Sequence, residues 1–390
     1  MNLRAFISAI TMIVMVAGST ASSSLFVSYR QQWGLTSADI AIVFAVYVGT
    51  LLPVLLFFGG LADRFGRRPV AVAGILSMAA GLVTLLLAHG LPWLIIARLF
   101  QGAGVGLSVG ALTASLAESY RGKLPVGTVL QSVAAFGLFT GPVISAIAFN
   151  LGGGVNLSYV PSLILVAGLL ALTPFIAERP MSSAHVPIDK PLPALEVSRA
   201  LRFAMPVAFV SWAGVSLFLS LVPSYLASAL HASNPAIGAA AVFAAQFSSL
   251  VVTIRLRTLS PRHGGLYGSI ATVSGLALLV VGTSTNSWPL IVAATLLVGG
   301  GAGVASAAAF GIAGRVGIGQ RTRIFARMYL VMYSGYSLPA LAIGLIAVHA
   351  SFESAFIIVT IALALIAAAL PLLRDGEAGA KVRSERALAA

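Results

Sequence analysis

Gly59 to Val70 reads GGLADRFGRRPV, and it sets one acid and three arginines between the apolar runs LLPVLLFF (51–58) and VAVAGILSMAAGLVTLLLA (70–88). Charge is scarce elsewhere: 8% of the 390 residues are charged, 59% are hydrophobic, and the mean hydropathy is +1.01. A chain with so little polar surface cannot coat a water-soluble globule. The runs on either side of the cluster are each long enough to cross about 30 Å of hydrocarbon as a helix. GGLADRFGRRPV is therefore a reversal between two membrane spans. Gly59, Gly60 and Gly66 permit tight turning, Pro69 suits a first helical turn, and the arginines hold the loop in water.

Outward from this loop the same alternation continues. Twelve apolar spans are read at roughly 5–28, 39–59, 70–88, 92–116, 125–150, 157–176, 202–226, 236–254, 266–285, 288–312, 327–348 and 354–373. A membrane barrel is excluded, because FIIVTIALALIAAALPLL (356–373) is apolar on every face where barrel strands alternate. The formal net charge of +13 raises nucleic acid as a partner, but its distribution argues against that. Of the 23 lysines and arginines, all but Arg30 and Arg98 fall on one side of the membrane when the spans are counted alternately. By the positive-inside rule both termini are cytoplasmic, and the basic excess faces anionic inner-leaflet lipid. A cleaved signal peptide ending near Ser19-Thr20-Ala21 is conceivable, but it would leave an odd number of spans. The chain has no cysteine, so thiol chemistry is absent, and His89, His185, His231, His263 and His349 lack metal-ligand spacing. No metal and no cofactor is expected.

Between Arg179 and Arg202 the chain turns polar and proline-rich, which reads as a linker. The expected domains are a six-helix bundle at 1–176, a cytoplasmic linker at 177–201, a second six-helix bundle at 202–374 and a tail at 375–390. The halves look related. Val43-Phe44-Ala45 recurs as Val242-Phe243-Ala244, and Gly102-Ala103-Gly104-Val105 recurs as Gly301-Ala302-Gly303-Val304, both at an offset of 199. Six spans per half makes the repeats parallel, and such repeats place a binding site between the halves near the midplane.

With this frame the loop gains a further meaning. Gly59, Leu61, Ala62, Asp63, Arg64, Gly66, Arg67 and Arg68 match G-x-L-A-D-R-x-G-R-R, and the chain strongly resembles the major facilitator superfamily, whose signature this is. The resemblance extends over nearly the whole length and implies an all-α fold of twelve transmembrane helices in two six-helix pseudo-symmetric bundles. It also implies that the loop clasps the two halves together when the cavity faces outward. Asp63 would be favourable beside the positive end of the eleventh span, and Arg67 would bridge to Glu118. A plain solvated turn is the competing reading. Arg98, Gln101, Gly102 and Gly104 match R-x-x-Q-G-x-G, a fourth-span pattern of proton-coupled members. Gly137, Gly141, Pro142 and Ser145 resemble the centre of the antiporter signature G-x8-G-x3-G-P-x2-G. Two positions depart from it, since Thr128 and Ser145 stand where it has glycine, so export is favoured on the centre of the motif alone. A generic kinked, tightly packed helix is the alternative there.

Candidate site residues follow from charge. All ten acids fall at span ends, in loops or in tails, so no carboxylate lies mid-membrane. Asp39 reads as a helix-capping acid following Thr36 and Ser37. Arg98 lies deep enough that it must face the interior, as a binding or proton-coupling residue or as a buried structural one. Ser22, Ser23 and Ser24 fall at its depth, and Gln131, Trp212, Gln246, Tyr333 and Tyr336 are further polar or aromatic candidates. A cavity whose formal charge is Arg98 disfavours permanent cations and suits neutral, zwitterionic or anionic amphiphiles. The motif Gly106-Leu107-Ser108-Val109-Gly110 has the spacing of a hydrolase elbow. It lies inside an apolar helix with no acid or histidine partner, so an enzyme is not expected.

The expectation is a monomeric secondary transporter of the bacterial inner membrane. It would export small amphipathic molecules in exchange for protons by rocking one half against the other. A sugar or organic-acid carrier, possibly of inward direction, and a receptor-like protein that completes no cycle are the open alternatives.

Overall fold

The computed structural model describes residues 3–58, 61, 65–120, 122–124, 126–176, 194–220, 222, 226, 235–314 and 321–375. It is all-α. Twelve apolar helices follow in order: α1 Leu3–Trp33, α2 Ser37–Phe58, α3 Arg67–Leu86, α4 Leu91–Ser119, α5 Val126–Ala148 and α6 Val160–Leu172, then α7 Ala194–Ser220, α8 Pro235–Arg255, α9 Pro261–Ser284, α10 Trp288–Gly314, α11 Arg321–Ile346 and α12 Phe352–Asp375. Eleven are long and apolar enough to cross a membrane, and Val160–Phe175 is a shorter apolar helix. Their outer faces are oily. Ile358, Ile361, Leu365 and Leu372 on α12 and Ile164 on α6 are all exposed, as a surface solvated by lipid tails requires.

Several boundaries differ from the expected ones for local reasons. α1 is longer than expected and broken: the helix stops at Thr20, a 3-10 turn spans Ser23–Leu25, and the helix resumes at Phe26. Four consecutive short or hydroxylated residues, Ala21 to Ser24, offer alternatives to the helical ladder. α3 begins at Arg67, so Arg67 sits buried in a first helical turn and Gly66 before it takes φ 92, a value glycine tolerates. α7 begins at Ala194, inside the segment read as linker. Beyond Ala148 the chain makes a π turn at Phe149–Gly153 with Gly152 at φ 93. Thr36 and Asp39 form the expected reciprocal cap, Thr36 N donating to Asp39 Oδ2 at 2.8 Å and Asp39 N to Thr36 Oγ1 at 3.1 Å.

Glycines on the fourth helix of each half show how the bundles repeat. A Cβ on Gly102 would meet the Tyr47 carbonyl of α2 at 2.5 Å, one on Gly104 would meet Gly74 of α3 at 2.8 Å, and one on Gly106 would meet α2 again at Leu51. In α10 the same alternation belongs to Gly299 against Ala245 of α8, Gly301 against Gly268 and Thr272 of α9, and Gly303 against Ser249 of α8. The spatial equivalents of Gly102, Gly104 and Gly106 are thus offset by 197 residues. The offset of 199 read from the sequence is corrected here: matching GAGV to GAGV pairs residues that face different neighbours. The three-dimensional counterpart of Arg98 is Thr295, whose hydroxyl is spent on the Ile291 carbonyl at 2.8 Å. An arginine at this place is a property of the first half alone.

Candidate functional site

Arg98 stands where α4 passes the break in α1. A helix that stops leaves its last carbonyls without partners, and the arginine and the glutamine one turn below it supply them. Arg98 Nη1 donates to the Ser19 carbonyl at 2.6 Å and to Gln101 Oε1 at 2.9 Å, and Nη2 donates to Ser22 Oγ at 2.6 Å. Gln101 Nε2 in turn donates to the Gly18 carbonyl at 3.1 Å. The i, i+3 spacing puts both side chains on one helix face, so R-x-x-Q reads here as a two-pronged clamp on the end of the first α1 segment. The guanidinium carbon also lies 5.6, 5.6 and 5.7 Å from the ring centroids of Phe26, Phe44 and Tyr47, which close over the charge. Arg98 is 3% exposed and Gln101 is fully buried.

A cavity with about 860 Å³ of empty space, counting what is continuous with solvent, lies between the halves. The first half lines it from α1, α2, α4 and α5, through residues such as Val16, Tyr47, Val109 and Gln131, and the second from α7, α10 and α11. Its second-half wall is aromatic. Trp212 meets Tyr333 edge to face at 5.0 Å and Tyr336 at 5.9 Å, with Phe310 and Tyr329 below them. A polar line crosses this space: Trp212 Nε1 donates to Ser306 Oγ at 3.3 Å, and Ser306 Oγ donates to Gln131 Oε1 at 2.9 Å, joining α7, α10 and α5. Among the described residues the lining includes no carboxylate, lysine, arginine or histidine.

The cavity extends from the middle of the helices toward the face that carries the chain termini, as Met12 of α1, Thr113 of α4 and Tyr329 of α11 show. On the opposite side the halves are in contact. Phe44 of α2 stacks on Tyr336 of α11 at 5.1 Å, and Leu219 and Val242 join the same buried cluster as Phe26 and Phe44, while Phe139 of α5 meets Phe243 of α8 at 5.2 Å near the middle of both helices. Gly141 is the reason α1 and α5 can lie so close to this cavity, since a Cβ there would sit 2.1 Å from the Ala17 carbonyl. Gly137 plays the same part against Val16, at 2.7 Å.

The sequence candidates separate into three groups. Gln131, Trp212, Tyr333 and Tyr336 line the cavity. Arg98 and Gln101 lie behind its wall, reaching it through Ser19 and Tyr47, so the expected charged cavity is corrected to one whose walls carry no formal charge. Of the three serines at Arg98's depth only Ser22 bonds to it. Ser24 Oγ donates to the Pro142 carbonyl at 3.0 Å, and Ser23 Oγ is buried without a hydrogen-bond partner. Gln246 is buried on α8 with its Oε1 unpartnered and does not line the cavity. In the loop, Arg68 Nε donates to the Ile176 carbonyl at 3.1 Å, tying α3 to the end of α6 within the first half. Gly59, Asp63, Arg64 and the side chain of Glu118 lie outside the described residues. Sequence reasoning missed Ser306 and the hydrogen-bonded pair Tyr29 and Tyr159, whose hydroxyls are 2.8 Å apart and join the far segment of α1 to α6. Counting depth from the helix ends brings Ser306 near Gln131, so that signal was available.

Comparison with known proteins agrees with this geometry. The family model described as Major Facilitator Superfamily matches residues 7–266. The 3-(3-hydroxy-phenyl)propionate transporter of Escherichia coli is 26% identical over 268 residues, 66% of this chain and 64% of that protein. The multidrug resistance protein MdtL of Salmonella typhimurium is 29% identical over 193 residues, 48% of each chain, and MdtL of Klebsiella pneumoniae is 25% identical over 195 residues, 49% of each. The matched stretch thus spans about half to just under two thirds of these relatives. Among solved structures, a POT family transporter in complex with 5-aminolevulinic acid superposes with a TM-score of 0.75 at 11% identity, over 95% of this chain and 96% of that one, which is a likeness of fold.

Proposed function

The chain belongs to the major facilitator superfamily, a family of membrane transporters, and from that premise we propose that it exports small amphipathic molecules in exchange for protons. The observation that carries the reading is the cavity between the halves, which among the described residues has an aromatic wall, a polar line and no formal charge. A site that must release its cargo on the far side works best with contacts that are broad and individually weak, which aromatic faces supply. Removing a permanent cation from water with no carboxylate to receive it is costly, so neutral and zwitterionic molecules are favoured over cations.

The cycle follows from which contacts join the halves. With the termini cytoplasmic, the cavity opens toward the cytoplasm, Phe44–Tyr336 closes it on the outer side, and Phe139–Phe243 joins the halves near the middle of α5 and α8. Rocking residues 1–176 against 202–374 would separate those pairs and bring the cytoplasmic ends of α2 and α11 together, where Asp63, Arg67 and Glu118 act as clasp. Arg98 and Gln101 link the cavity wall to the break in α1, so movement at the wall is carried to a helix that can bend.

A second reading is supported by Arg98, one layer behind Tyr47, together with the aromatic-acid transporter among the relatives: uptake of an aromatic carboxylate. The experiment is transport in proteoliposomes under an imposed pH gradient with cationic, neutral and anionic aromatic compounds of matched size. Gradient-dependent counterflow of neutral or zwitterionic compounds supports export. Accumulation driven in the direction of proton flow and confined to the anions supports uptake, and flux indifferent to the gradient overturns proton coupling.

A further inference from the structure

The polar line across the cavity has a fixed direction. An indole nitrogen only donates, so Ser306 Oγ accepts from Trp212 and has one proton left to give. In the structure that proton goes to Gln131 Oε1, so the oxygen end of the carboxamide faces Ser306. The nitrogen end is thereby turned away, and among the described residues its two hydrogens have no partner. Gln131 is 5% exposed and lines the cavity. The nearby hydroxyls of Ser19 and Thr20 are spent on α1 carbonyls, at 2.8 Å to Val16 and at 3.1 Å to Val16 again. The cavity therefore presents an oriented N–H2 group beside an aromatic wall, with no carboxylate to compete for it.

Resting on the export reading, we propose that Gln131 determines specificity: its carboxamide N–H binds an oxygen acceptor, such as a carbonyl, on a neutral aromatic molecule held against Trp212, Tyr333 and Tyr336. Ser306 and Trp212 are positioning residues, which hold the amide in the orientation that donates. The hydrogen bond from Ser306 to Gln131 also crosses from the second half to the first, so the group that reads the cargo bridges the two halves. A donor that a bound ligand covers without pairing is unfavourable, so an acceptor-bearing ligand satisfies this amide while a hydrocarbon of the same shape does not.

The test uses two probes of equal shape, 9-fluorenone and fluorene, binding to the purified protein in phosphatidylcholine nanodiscs with empty nanodiscs subtracted. In the wild type the ketone should bind about tenfold more tightly than the hydrocarbon, one buried hydrogen bond's worth. Gln131→Leu should bring the ratio of ketone to hydrocarbon affinity to about one. Ser306→Ala should reduce that ratio by several-fold through loss of orientation, which a merely structural role, acting on both probes alike, would not reproduce. If Gln131→Leu does not give a monodisperse protein, Gln131→Met is the substitute, with the same expected loss. A ketone preference that survives loss of the carboxamide, or its absence in the wild type, overturns the inference. The export reading fails separately: proteoliposomes without flux of any compound sink it even where the ketone preference follows Gln131, and flux with no such preference leaves it standing alone.

Discussion

Replacing Arg98 by alanine should loosen the bundle before it does anything to transport. The substitution leaves the Ser19 carbonyl and Gln101 Oε1 without the donor they have, while Ser22 can turn its hydroxyl elsewhere. Two buried acceptors left unpaired cost about 1–3 kcal/mol each. Loss of three ring contacts, at about 0.5–2 kcal/mol together once the favourable rehydration of the cation is set against them, brings the total to about 2.5–8 kcal/mol. At roughly 2 °C per kcal/mol for a long chain, the apparent Tm of the solubilised protein should fall by about 5–16 °C. Arg98→Lys keeps the charge but cannot span the Ser19 carbonyl and Ser22 Oγ together with the planar fork, so about half the loss should remain. Because Gln101 holds the neighbouring Gly18 carbonyl and touches Arg98, a double-mutant cycle of Arg98→Ala with Gln101→Ala should show coupling of about 1–2 kcal/mol. Thermal unfolding followed by fluorescence size exclusion reads all of these. A Tm for Arg98→Ala within about 2 °C of wild type would refute the clamp and return Arg98 to a role in the cavity alone.

Gly141→Val should prevent α1 and α5 from packing, because even a Cβ meets the Ala17 carbonyl at 2.1 Å and Thr20 Oγ1 at 2.6 Å; the expected result is loss of the monodisperse peak, and retention of it would mean the helices separate at little cost. Asp63→Asn should slow transport by tenfold or more while membrane insertion, followed by protease protection of the termini, is unchanged, since a hydrogen bond to a charged group is worth about 1.5–3 kcal/mol. Wild-type flux in that variant would leave the loop as a turn with a topological role only.

What the sequence disclosed and what it withheld divide along a physical line. Apolar run length reports depth, so the twelve spans were legible, while the linker read at 177–201 is helical from Ala194 onward. Depth also put Ser22 beside Arg98. Azimuth is what a run apolar on every face does not encode: Arg98 and Gln131 are both inward-facing, yet Gln131 lines the cavity and Arg98 is sealed behind Phe26, Phe44 and Tyr47. The repeat shows the same limit. GAGV at 102–105 and at 301–304 look alike as letters, but the close helix approaches that glycine permits fall on Gly102, Gly104 and Gly106 in one half and on Gly299, Gly301 and Gly303 in the other. Packing partners fix that register, and partners are not visible in a single strand of text. The break in α1 was foreshadowed by its run of serines, but its consequence, two carbonyls needing donors from α4, required the neighbouring helix to be seen.

The central claim is that the two halves move against each other across this cavity, and the absence of cysteine makes it directly measurable. Phe139 and Phe243 belong to opposite halves, lie 5.2 Å apart ring to ring where α5 packs on α8, and do not line the cavity. With Phe139→Cys and Phe243→Cys combined in one chain and reconstituted, a short, reducible bifunctional thiol reagent should arrest flux of a transported compound, and reduction should restore it, while each single variant stays active throughout. Undiminished flux in the fully bridged protein would contradict the account.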